Sequence, residues 1–407
     1  MENNIPKITF AIASKNNFRY VKHAIEYIRE NCYRKDHIIH IGIDGEDIQL
    51  ENYYKDTDGV IITKGVSGIA AIYNDIVKSA ITDFIIIYHA DMIAGKNVDF
   101  HLYQSWKRGL IVSATRIEPP LHPGDPSKIV KNFGMWPEEN IADGFLKDEF
   151  NEFVESNLNI NKITKGVFAP WLIHKEDYWA VGGHDENLNS HSEDRDLFNR
   201  FLLNGFDFIQ NWSAMVYHLT CRGGQFEHAT KTEELMIRST EWNILARNNT
   251  REFFRKWGTQ PTYDAYQYPI VYPKYNIAFS VKNSNLDALR LLEPLCDRLY
   301  IEDEMGVLLS YYYDEEQKNT KFDLKKRIVS LKYNNPFDYE DIVIEFDWNH
   351  LNNNSFGILQ QIGNIIGDSG GIGKFTLDIF TITIHKMEEY QCYLIDTNDN
   401  WYKEKLI

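Results

Sequence analysis

Strand-like and helix-like runs alternate through residues 1–90, and that alternation restricts the chain to a few architectures. Lys7 to Ala13 is a short β-rich run that ends in the polar stretch Ser14-Lys-Asn-Asn17. Tyr20 to Cys32 then carries Val21, Ala24, Ile25 and Ile28 at a helical period. His37 to Ile43 reads as a second strand, closed by Asp44-Gly45, and Val60 to Thr63 as a third. Ile69 to Ala80 returns to the helical period, and Phe84-Ile-Ile-Ile-Tyr88 is apolar enough for a strand buried on both faces. The pattern predicts an α/β fold with a doubly wound, mostly parallel sheet. Ligands of such sheets lie beyond the carboxyl ends of the strands. Three of those ends are polar here: Ser14-Lys-Asn, Asp44-Gly45 and His89-Ala-Asp91.

Residues 92–165 look irregular and include the Pro-rich loop from Glu118 to Pro126. An apolar run from Phe168 to Tyr178 leads into Gly182-Gly183. Leu197 to Leu203 reads as a helix, Ala214 to Tyr217 as a strand, and Glu233 to Trp257 as a further helical stretch. Periodicity breaks from Gly258 to Pro269, and a second alternation follows from Tyr275 to Ile384. The expected organisation is a catalytic domain over 1–260, a linker over 261–271, and a smaller α/β accessory domain over 272–407.

Composition narrows the partners. Lys and Arg total 43 against 59 Asp and Glu, a formal charge of -16. Duplex-gripping proteins draw most of their affinity from phosphate neutralisation, so nucleic acid is not the expected partner. The four cysteines are far apart and form no C-x-x-C pair, which argues against a zinc knuckle or a disulfide framework. The N-terminal residues lack a signal-peptide pattern, and no apolar stretch approaches the ~20 residues of a membrane span. A cytoplasmic protein without a membrane span is expected.

Three constellations carry chemistry. In Tyr88-His-Ala-Asp-Met92, Asp91 at a strand end can hold a divalent cation, or simply cap a turn. Hard oxygen ligands suit Mg2+ or Mn2+, and the His89 imidazole favours Mn2+. Glu193, Asp194 and Asp196 open a helix, where the macrodipole favours anions. One of them suffices for N-capping, and a general base needs one in a pocket. In Tyr217-His-Leu-Thr-Cys-Arg222, a strand delivers His218 and then Arg222, a bidentate phosphate contact or a surface cover. Gly367 to Lys374 only superficially suggests a phosphate loop, because Phe375 stands where a Ser or Thr is required.

In this order the three constellations resemble the family 2 glycosyltransferases, nucleotide-sugar enzymes of the GT-A fold, over about residues 5–225. The resemblance implies that Ala13 and Ser14 line the nucleotide and that Asp44 accepts from the pyrimidine. Gly68 and Asn74 fall in the glycine-containing segment before the metal strand, and are expected on the nucleotide sugar with His89 and Arg222. His89-Ala-Asp91 occupies the place of the D-x-D motif, with His where the first Asp belongs. That makes Asp91 a metal ligand, joined by His218. Glu193-Asp194 matches the E-D motif, whose Asp is the base in inverting members. Trp171 and His184 are expected at the acceptor, His184 replacing the Phe of a Gly-Gly-Phe-Asp-Glu stretch.

The implied activity is metal-dependent, inverting transfer of a sugar from a nucleotide diphosphate sugar to an acceptor hydroxyl, with Mn2+ or Mg2+. Two alternatives stand beside it. One is a non-catalytic glycan-binding module on a degenerate GT-A fold, suggested by His89. The other is a phage-type enzyme glycosylating a modified base in DNA.

Overall fold

The computed structural model describes residues 5–121, 124–134, 144–222, 238–369, 371–392 and 404–406. Contacts divide the chain into two units, Met1–Leu245 with Thr262–Ile270, and Ala246–Pro261 with Val271–Ile407. The boundary therefore falls inside the helix Thr240–Trp257 and not at residue 260. The segment expected as a linker is largely part of the first unit. There the Tyr268 hydroxyl donates to Asp207 at 2.8 Å, and a side chain on Gly166 would strike the Tyr266 carbonyl. The expected start of the 233–257 helix lies outside the described residues, as does part of the Pro-rich loop.

The first unit is built on β1 (Ile8–Ser14), β2 (Ile38–Ile43), β3 (Val60–Thr63), β4 (Phe84–His89), β5 (Met92–Ala94), β6 (Leu110–Glu118), β7 (Lys128–Val130), β8 (Ile163–Lys165), β9 (Trp171–His174) and β10 (Asp207–His218). Its sheet runs β3-β2-β1-β4-β9-β6-β10-β5, with β7 beside β6 and β8 beside β10. β5, β8 and β9 oppose the otherwise parallel strands. β4 is buried along nearly its whole length, as its unbroken apolar run requires. The helices Phe18–Asn31 and Ile69–Ser79 bury Val21, Ala24, Ile25 and Ile28, and Ile72, Ile76 and Val77, the stripes their periodicity predicts.

Strand order reverses at β1, with β2 and β3 on one side and β4 on the other. Register aligns the ends at that point. Ala13 pairs with His89, Ser14 pairs with Ile43, and the Asp44 amide donates to the Ser14 carbonyl at 2.8 Å.

β6 is the main element that sequence patterning misses. It lies inside the stretch expected to be irregular, yet it is buried and pairs with β7, β9 and β10. Ser113, Thr115, Arg116 and Glu118 interrupt its apolar run and disguise it as loop. β10 is also longer than its apolar core, Ala214 to Tyr217, suggests. Its pairing with β6 slips between Asn211 and Met215, so that Tyr217 reaches Ile117. A regular register would continue from the Asn211–Ala114 pair to set Met215 beside Glu118. The bulge sets His218 there instead.

The second unit carries β11 (Ile277–Lys282), β12 (Arg298–Ile301), β13 (Ile328–Ser330), β14 (Ile342–Asp347), β15 (Gly373–Leu377) and β16 (Phe380–Ile384), ordered β13-β12-β11-β14-β16-β15. The run Phe375 to Ile384 is a hairpin that turns at Asp378, whose φ is 53°. The buried side chains of Phe279, Val281, Leu289, Leu299 and Ile344 belong to this unit's own core. Beside them the Glu293 carboxylate receives Arg255, Arg327 and Tyr312. Among the described residues no helix is long and apolar enough to cross a membrane.

Candidate active site

The polar strand ends of the first unit open into one cleft of about 1160 Å³. That exceeds the ~300–1,000 Å³ of ordinary small-molecule pockets and leaves room for two reactants. Its lining includes Ala13, Ser14, Lys15 and Asp44, then His89, Asp91, Glu118 and His218, and also Glu193, Asp194 and Arg195.

His218 is held on both edges. Its Nδ1 lies 2.7 Å from Glu118 Oε1, and its Nε2 lies 3.6 Å from Asp91 Oδ1. Backbone pairing explains the convergence: His218 pairs with Met92 across β10 and β5, and the Leu219 amide donates to the Asp91 carbonyl at 3.0 Å. Burial alone would lower the His218 pKa, but Asp91 and then Glu118 outweigh it, and it is pushed up to about 9. Burial likewise opposes the charge on Glu118, but His218, Arg116 and Lys128 hold its carboxyl well below the usual carboxylate range. His89 behaves oppositely, since burial pushes it down to about 4 and leaves a neutral imidazole.

Ligand atoms of His89, Asp91 and His218 lie within 4.8 Å of one another. A second such group, Cys32, His37 and Asp99, is different in kind. There the Ile8 amide donates to His37 Nδ1 at 3.1 Å, while His37 Nε2 meets Asp99, which also receives the Tyr33 and Arg34 amides. Its imidazole has both edges engaged with protein and serves as a structural knot. The first group differs in position: His89, Asp91 and His218 all line the cleft, whereas Cys32, His37 and Asp99 do not.

The acidic pair stands at the start of the helix Glu193–Leu203. Burial, and then the neighbouring Asp194, push Glu193 up to about 8. Ser192, which precedes the helix with φ 66°, and Thr220 and Cys221, with φ 49° and 53°, also line the cleft. Such left-handed backbone costs ~1–3 kcal/mol at a non-glycine residue and tends to collect at functional sites. Ser14 Oγ, Glu193 Oε2 and Arg195 Nη1 are buried along this cleft without a hydrogen-bond partner among the described residues.

Other expected site residues lie elsewhere. Trp171 is 2% exposed and packs edge-on against Phe198 in the core, so it cannot meet an acceptor. His184 is also buried: its Nδ1 lies 2.6 Å from the Tyr178 hydroxyl, and its amide donates to Asn74 Oδ1 at 2.9 Å. The Asn74 side chain returns a bond to the His184 carbonyl at 2.9 Å, so both residues brace the helix Ile69–Ser79 and neither lines the cleft. Burial pushes His184 down to about 3. Gly68, with φ 90°, does not line the cleft either, but its amide approaches Asp44 Oδ1 at 3.4 Å. Asp44 Oδ1 also accepts from Ser67 Oγ at 2.8 Å. Arg222 is buried and absent from the cleft lining, although Thr220 and Cys221 line it. Glu118, Arg116 and Lys128 line it and do not stand out in the sequence. The acid at the end of the β-branched run Leu110 to Ile117 is the signal that points to them.

No family model and no curated protein matches this chain. Similar solved structures include GalNAc-T7 with UDP, GalNAc and Mn2+, 12% identical with a TM-score of 0.43, covering 62% of this chain and 48% of that one. The mannosyltransferase PcManGT from Pyrobaculum calidifontis, in complex with GDP-Man and Mn2+, is 13% identical with a TM-score of 0.39, covering 62% and 64%. S. aureus TarS 1-349 in complex with UDP is 11% identical with a TM-score of 0.36, covering 53% and 60%. The matched region thus spans about half to two thirds of the length of those chains.

Proposed function

We propose that the first unit is a glycosyltransferase that moves a sugar from a nucleotide diphosphate sugar to an acceptor hydroxyl, with inversion at the anomeric carbon. The observation that carries this is the meeting, in one cleft, of the metal-ligand group, the Glu193-Asp194 pair and the polar ends of β1 and β2. The motifs of the family 2 resemblance supply the order of these parts along the chain.

Ala13, Ser14 and Asp44 bind the nucleoside, and Ser14 Oγ is a buried hydroxyl with a bond to offer it. His89, Asp91 and His218 would hold the cation, and two imidazoles with one carboxylate favour Mn2+ over Mg2+. When bound, the cation offsets the negative charge that builds on the departing diphosphate. Asp194 takes the proton of the acceptor hydroxyl as that oxygen attacks the anomeric carbon. The new C–O bond forms as the bond to the diphosphate breaks, and the electron pair leaves with the phosphate oxygen. Burial and the neighbouring Asp194 raise the Glu193 pKa to about 8, which favours its protonated form at neutral pH.

Incubation with a panel of UDP- and GDP-sugars and Mn2+ tests this. Metal-dependent release of nucleoside diphosphate from at least one donor is expected, faster when an acceptor is supplied. A chain that binds glycans but releases no nucleotide from any donor would be a binding module instead. The anomeric proton of the product, read by NMR, reports inversion.

A further inference from the structure

Glu118 has no part in the transfer just described, yet it is 2% exposed and sits against the candidate metal group. Its Oε1 meets His218 Nδ1 at 2.7 Å, and His218 Nε2 points the other way, to Asp91. Two buried cations hold the carboxylate, Arg116 through Nη1 at 2.9 Å and Lys128 through Nζ. Arg116 is itself fixed by Asp125, by Ser127 and by the Phe168 ring beneath its guanidinium. A carboxylate flanked by two cations accepts hydrogen bonds and does not donate them. The hydrogen between Glu118 and His218 must therefore belong to Nδ1.

We propose that Glu118 is the positioning residue for His218, retaining the proton on Nδ1 so that Nε2 presents its lone pair to a divalent cation shared with Asp91 and His89. This rests on the metal-dependent function proposed above. Histidine ligands are commonly oriented through their second nitrogen, and loss of such a partner weakens metal binding about 10–100-fold. The bulge in β10 is what creates the contact, because it replaces Met215 with His218 beside Glu118.

Mn2+ is titrated into the full chain in the presence of UDP, with free Mn2+ read by electron paramagnetic resonance. The native chain, Glu118→Gln, Glu118→Asp and Asp91→Asn are compared, with circular dichroism as the folding check. Native binding with ~10–100-fold weaker binding in both Glu118 variants is expected. Glu118→Asp keeps the charge for Arg116 and Lys128 while withdrawing it from Nδ1, and carries the test if Glu118→Gln does not fold. Native binding with both Glu118 variants within twofold of it would overturn the positioning role alone. A native chain that binds no Mn2+ would overturn the metal-dependent function and this inference together. On the native chain loaded with Zn2+, nitrogen-15 NMR should show His218 protonated at Nδ1; metal at Nδ1 would also overturn the inference.

Discussion

His218 Nε2 and Asp91 Oδ1 stand 3.6 Å apart, although His218 ends β10 and Asp91 lies in the distant turn between β4 and β5. The antiparallel pairing of β10 with β5 and the Leu219 amide bond to the Asp91 carbonyl set that separation. Asp91 is consequently 7% exposed and faces an imidazole, and is not an incidental surface acid. Asp91→Asn should abolish Mn2+-dependent turnover while leaving the far-UV circular dichroism spectrum intact. Full turnover at low Mn2+ in that variant would remove Asp91 from the metal group.

Asp194→Asn should lower turnover by ~10²–10⁴, the range for a general base, with the Kd of the donor nearly unchanged. Single-turnover kinetics and donor titration separate the two quantities. Near-normal turnover would transfer the role to another group.

The raised pKa of Glu193 has a stability consequence of definite sign. Its folded value of about 8 lies above the ordinary 4.5, so folding disfavours its charged form. The penalty is absent below about pH 4.5, grows as pH rises, and is complete above about pH 8. Glu193→Gln should therefore stabilise the first unit little at pH 5 and most near pH 8.5. Each tenfold change in an ionisation constant is worth ~1.4 kcal/mol, so a gain of at least that order is expected at the alkaline end. Thermal unfolding across this pH range measures it, and a gain that is the same at both ends would contradict the assignment.

His184→Phe tests whether that position serves structure or acceptor. Loss of the bond between His184 Nδ1 and the Tyr178 hydroxyl, which Asn74 Oδ1 still holds, should cost ~0.5–1.5 kcal/mol in urea unfolding, with the KM for acceptor changed less than threefold. A large rise in that KM would return His184 to the acceptor side.

In the second unit, Glu293→Gln leaves Arg255 and Arg327 short of the carboxylate that both share. Breaking a buried pair in this way typically costs ~3–5 kcal/mol, and urea unfolding of the full chain should show a transition destabilised by that amount. Donor binding, measured in parallel, reports whether the first unit is affected.

The alternation of elements, the polar ends of β1, β2 and β4, and the acids at 91 and 194 are legible in the chain itself, because periodicity and strand-end chemistry are local properties. Val60 to Thr63 even coincides with β3 residue for residue. Trp171 and His184 are misplaced for the opposite reason: nothing local tells a ring that faces a cleft from one that fills the core beneath it. β6 stays hidden because its Arg116 and Glu118 look solvated in one dimension, yet they neutralise each other once folded. Bringing Glu118 to His218 takes the folded sheet. That contact depends on a register slip in β10, and register is set by how two strands pair across the sheet, not by the residues of either strand alone.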